Sequence, residues 1–171
     1  MPFSKVVLKT KHNEIFKGTT SDFSPVKACF HFVPVGQESC RSTVEIVVNE
    51  LKAIFFVKDF DGTAYRDDYQ ADLVRPKVGE KLIKVKFHDG EEINGIAQSF
   101  HLDRPGFFIV PTDPASNNER IYVVLSDLES LNVDGKAIPV DQLRQSGRKC
   151  PSCKAPMDFC WRWCPFDGSK L

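Results

Sequence analysis

The chain holds two copies of one pattern. KVVLKTKHNEIFKGTTSDF, starting at Lys5, aligns without a gap on LIKVKFHDGEEINGIAQSF, starting at Leu82. Gly18 falls on Gly95, Phe23 on Phe100, Phe30 on Phe107, Pro34 on Pro111 and Leu51 on Leu128. Every pair is 77 positions apart (95 − 18). A constant offset held through alternating apolar positions marks a tandem duplication, so the fold must be built twice from one unit.

Each copy reads as strands. KLIKVKFHDGEEINGIAQSF alternates apolar and polar residues on either side of HDGE, a tight-turn signal between two strands. GFFIVP is a nearly continuous apolar run, as expected of a strand covered on both faces. RIYVVLSDLESL adds a β-branched strand, a turn and a short last strand. Gly18 and Gly95 fall inside second strands, where glycine marks a bend or a close approach. A unit of about 50 residues buries little core alone, and two copies in one chain can cover each other's edges. The expected architecture is all-β: two small barrels at 1–55 and 81–133, a linker at 56–80, a tether at 134–148 and a metal-held module at 149–171. At 25 residues the linker is long for a loop, so it either spans or carries an added strand.

KVKFHDGEEINGIAQSF, GFFIVP and RIYVVLSDLESL resemble the strand pattern of Sm-like and SH3-like small barrels. More closely, LKAIFFVKDFDG, DGEEINGI and RPGFFIVPTDPASNNERIYVV resemble a bacterial domain of unknown function found beside PilZ domains, the cyclic di-GMP sensors. That resemblance covers roughly residues 51 to 131 and implies a small-barrel fold in a signalling neighbourhood. The arginine-rich and D/NxSxxG elements that bind the nucleotide in PilZ domains are absent, so cyclic di-GMP binding is not implied. The RNA-contacting pairs of the Sm family are also missing: the corresponding stretches read SFHLDRPG and VVLSDL.

Four of the six cysteines lie in RKCPSCKAPMDFCWRWCPFDGSKL, residues 148–171. Cys150-Pro-Ser-Cys153 is a knuckle spacing that turns two thiolates toward one centre. Cys164-Pro-Phe-Asp167 repeats its outline with a carboxylate in place of the second thiolate. The tail resembles bacterial zinc ribbons with CPxC and CPxDG knuckles, which hold a structural Zn²⁺ tetrahedrally. The expected ligands are Cys150, Cys153, Cys164 and Asp167. Cys160 is the rival for the fourth place, because thiolate is the softer donor. In an extended CWRWC it would lie roughly 13 Å from Cys164, at about 3.3 Å per residue, which favours Asp167. Trp161 and Trp163 would share one face of that strand, packing inward or forming an exposed platform. A redox CxxC is disfavoured by Pro151 and by Pro156 shortly after.

Lys plus Arg equals Asp plus Glu at 23 each, so no net field draws the chain to nucleic acid or to an anionic membrane. No apolar run reaches membrane-spanning length, and MPFSKVVLKTKHN lacks a signal-peptide core. A cytoplasmic setting is expected, which disfavours disulfides. His12, His31, His88 and His101 show no metal spacing, and Cys29 and Cys40 form no pattern. Asp59-Phe-Asp61-Gly62 lacks the remaining ligands of a calcium loop. PTDPASNNER, residues 111–120, is a polar loop able to cap its own backbone. With no nucleophile–base pair, paired acids or phosphate loop, an enzyme is not expected. The expected function is that of a non-enzymatic adaptor docking a protein partner. Nucleic-acid binding through the barrels and ribbon is the alternative.

Overall fold

The computed structural model describes residues 3–36, 42–62, 76–101, 104–139, 149–155, 157 and 162–170. The first copy supplies β1 (Ser4–Thr10), β2 (Ile15–Thr20), β3 (Cys29–Pro34), β4 (Val44–Val47) and β5 (Leu51–Val57). The second supplies β6 (Lys81–Phe87), β7 (Glu92–Ala97), β8 (Gly106–Pro111), β9 (Asn118–Val124) and β10 (Leu128–Val133), followed by β11 (Lys136–Ile138). Single 3₁₀ turns at Val48–Glu50 and Leu125–Asp127 lead into β5 and β10. All pairings are antiparallel, and the strands form one open sheet in the order β11-β10-β6-β7-β8-β9-β5-β1-β2-β3-β4.

The duplication is kept down to register. Val6 faces Gly18 as Ile83 faces Gly95, and Gly18 faces Pro34 as Gly95 faces Pro111. Leu8 faces Ile54 as Val85 faces Leu131, and both of these strand pairs carry a bulge at their far end. The hairpin turn needs a left-handed residue at one place, which Asn13 (φ 63) and Gly90 (φ 86) supply in turn. Gly18 and Gly95 are required by contact instead. A Cβ on Gly18 would lie 2.4 Å from the Val33 carbonyl oxygen, and one on Gly95 would lie 2.8 Å from that of Val110.

In place of the two separate barrels expected, the strands of both copies lie in one open sheet, joined by β5 of the first copy and β9 of the second. Among the described residues no pairing links β4 to β5 or β9 to β10, the contact that would close either half. Two cores result. Val6, Leu8, Phe30, Phe32, Leu51, Ile54 and Phe56 fill the first, and Ile83, Val85, Phe87, Phe107, Ile109, Leu128 and Leu131 fill the second. The joint serves both by strand alternation. Ala53 and Phe55 face the second core while Ile54 and Phe56 face the first; Ile121 and Val123 face the second while Tyr122 and Val124 face the first. LKAIFFV and IYVV are therefore apolar on both faces, as central strands must be.

Strand β5 runs on to Val57, past the expected boundary at 55, and β11 falls inside the stretch expected as a tether. Residues 63–75, most of the expected linker with its possible added strand, lie outside the described residues, as do Cys40, Cys160 and Trp161.

A buried cation pins the joint. Lys52, on β5, is 1% exposed, and its Nζ donates to Asp89 Oδ2 at 2.5 Å and to Glu91, both on the β6–β7 turn of the other copy. It also sits 4.5 Å from the centre of the Phe87 ring, and Lys9 donates to Glu91 at 2.7 Å. The Lys52 hydrogen bond outweighs burial and holds the Asp89 carboxyl down at about 2, against an ordinary 3.8. Burial alone would raise the Glu91 carboxyl, but its bonds to Lys52 and Lys9 lower it. Depressed carboxylates stabilise the fold above their ordinary pKa and lose that contribution as pH falls through the folded value. Lys52→Met is expected to cost about 1–3 kcal/mol at neutral pH, because the partly hydrated Asp89 carboxylate loses its cation and Glu91 is left with Lys9 alone. It should also flatten the loss of stability between pH about 4 and about 2, read by urea unfolding at stepped pH.

Candidate metal centre

Two knuckles with the same backbone wiring build the centre. In the first, Cys150 N–H donates to Ala155 O at 3.0 Å and Lys154 N–H to Cys150 O at 3.0 Å. In the second, Cys164 N–H donates to Ser169 O and Gly168 N–H to Cys164 O, each at 2.8 Å. Both loops place a left-handed residue four positions after the cysteine: Lys154 (φ 62) and Gly168 (φ 72). The short reversal lets residues i and i+3 face one point, so Asp167 stands where Cys153 stands in its own loop. A bridge between Trp163 and Lys170 closes the second knuckle.

The side chains converge accordingly. Ligand atoms of Cys150, Cys153, Cys164 and Asp167 all lie within 4.8 Å of one another. Cys153 and Cys164 Sγ are 3.6 Å apart, and Cys150 Sγ is 3.5 Å from Asp167 Oδ2. A tetrahedron with Zn–S bonds near 2.3 Å and a Zn–O bond near 2.0 Å has edges of about 3.8 and about 3.5 Å, so the spacing suits one ion. Cys150 and Cys164 are buried, with Met157 packed on them in a small cluster separate from both sheet cores. All four expected ligands are brought together, and Cys160, the rival, lies outside the described residues.

The electrostatics suit a cation. Burial works against the Cys150 thiolate, yet Ser169 and the backbone N–H groups of Cys153 and Ser152 outweigh it and bring the thiol down to about 7. Burial and the Asp167 carboxylate push the Cys164 thiol up to about 11. Asp167 is held well below the usual carboxylate range, first by the Ser169 hydroxyl, which donates to it at 2.7 Å, and then by the Ser169 N–H at 3.0 Å. Ser169 is an orienting residue that the cysteine spacing alone does not reveal. A metal binding here replaces the thiol protons.

Several other polar residues singled out in the sequence are held by local contacts. His31 Nδ1 meets Asp22 at 2.7 Å on the surface. Gly62 N–H donates to Asp59 Oδ1 at 2.8 Å, an ordinary turn. In the 111–120 loop, Asp113 accepts from Ala115 N–H and Ser116 Oγ from Asn118 N–H, while Asn117 ties the loop to Asp59. A cavity of about 340 Å³ opens beside it, lined by Lys58, Lys77, Gln98, Asp113 and Glu119 among others, with charges of both signs. No helix among the described residues is long and apolar enough to cross a membrane. No curated protein and no solved structure matches the chain. The model of a family of unknown function, DUF6982, matches residues 3–135, which take in β1 to β10 but neither β11 nor the knuckles. By that match, the chain belongs to the DUF6982 family.

Proposed function

We propose that the chain is a non-enzymatic adaptor in which Zn²⁺ shapes a docking module carried by a duplicated sheet. The observation that carries this reading is the four-donor set itself, three thiolates and a carboxylate, which fills a tetrahedral ion and leaves no position for substrate. Such a site holds shape. Beside it Trp163 and Phe166 are 60% and 68% exposed, and aromatic side chains raised on a rigid knuckle are what protein interfaces use as anchors. Each five-strand half, with its order β5-β1-β2-β3-β4 or β10-β6-β7-β8-β9, is read as a small barrel unit of the Sm-like or SH3-like kind. Bacterial signalling or regulation is the setting implied by the resemblance to the PilZ-associated domain.

The test is affinity capture from cells with the full chain, compared with a Trp163→Ser/Phe166→Ser variant that keeps its metal. A protein captured by the first and lost from the second is the expected result. Capture that is abolished by nuclease and falls steeply with salt would replace the adaptor by the nucleic-acid reading.

A further inference from the structure

The joint between the copies is head-to-tail. The fourth strand of the second copy, β9, pairs with the outer edge of the last strand of the first, β5. Heterologous contacts of this kind do not close: the same surfaces recur at both ends and admit another copy. Here those surfaces are the outer edge of β4 and the outer edge of β10.

We propose that β11 and Glu45 are two stops that prevent a second copy of this chain from adding end to end at these edges. The registers supply the argument. In the joint, Ile54 faces Tyr122 and Phe55 faces Ile121. Shifted by the repeat, Ile54 becomes Leu131, which faces Ile138 of β11, and Phe55 becomes Asn132, which faces Ala137. Ile138 packs against the second core, as Tyr122 does in the first. Strand β11 thus takes the incoming strand's place, returned by a turn whose Asp134 and Gly135 are left-handed (φ 52 and φ 80). At the other end, Tyr122 shifts onto Glu45 in β4. No strand pairs with the outer edge of β4 among the described residues, and Glu45 is exposed. Adding β4 to another chain's β10 would carry Glu45 into Tyr122's buried position, where a carboxylate whose neighbours are the Cys29 thiol and His31 is costly to strip of water. Inward charges and covering strands are recognised ways of blunting sheet edges.

The experiment is sedimentation velocity over rising concentration on the full chain, alongside Glu45→Tyr, Ile138→Pro and the double variant. Ile138 pairs with Leu131 on the hydrogen-bonding side of the two-residue turn, so the proline removes an N–H that faces β10 and forces that short strand off it. Wild type and Glu45→Tyr alone are expected to sediment as one chain. The double variant should at least double in average mass as concentration rises, and Glu45→Lys in the Ile138→Pro background should return it to one chain. Gly135→Val, which breaks the turn instead, should act as Ile138→Pro does and guards against a misfolded proline variant. A double variant that melts cooperatively yet stays at one-chain mass, in both the proline and the valine backgrounds, overturns the proposal. So does equal association of the lysine variant.

Discussion

Cys164→Ser is expected to take bound zinc from one ion per chain to none. Three thiolates and a carboxylate converge on one point, and serine at the buried Cys164 position is a poor substitute for thiolate. The small cluster of Cys150, Met157 and Cys164 has too little apolar area to fold alone, so metal binding and folding should be one event there. In isolated zinc modules that event is worth roughly 10–16 kcal/mol. The variant should lose protease resistance after residue 148 while the melting temperature of the sheet stays put, because the cluster shares no residue with either sheet core. Asp167→Ala should weaken zinc and Cys160→Ser should not, as read by competition with a chromogenic chelator. The opposite ranking would move the fourth ligand to Cys160.

Tyr122→Ala should cost about 3–5 kcal/mol in denaturant unfolding, the range for removing a large buried ring. Tyr122 is fully buried and its ring lies 5.0 Å from that of Phe23 and 5.1 Å from that of Phe108. Its hydroxyl donates to Pro25 O at 3.1 Å, and burial pushes the phenol above its ordinary range. Tyr122→Phe should therefore cost about 1 kcal/mol through the lost bond. The matching change in the first copy, Glu45→Ala, should stay within about 0.5 kcal/mol, since Glu45 is exposed on an edge strand. Equal costs at the two positions would contradict the joint between copies.

The strands were legible because alternation and the constant offset agree at every register pair, from Val6–Gly18 to Leu131–Val85. The knuckles were legible because CPSC and CPFD space their donors alike, and the structure makes the two loops alike. What escaped was how the copies join. Its signal lay in the differences between them: Tyr122 against Glu45, and Lys52 against Glu129. A residue that sits on a free edge in one copy and at the sheet's centre in the other changes chemistry while its register stays fixed. Periodicity reports the strand but not its neighbour. Strand β11 escaped because KAI is too short to show alternation, although the Asp134-Gly135 turn before it is an ordinary hairpin signal. Ser169 escaped because its role depends on a loop closing back over Asp167, which spacing does not encode.

X-ray absorption at the zinc edge, on reduced full-length protein, tests the metal-clamped module most directly. Three sulfur scatterers at about 2.3 Å and one oxygen near 2.0 Å are expected. A spectrum fitted by four sulfurs would move the fourth ligand from Asp167 to Cys160, and reduced protein that takes up no zinc would contradict the module itself.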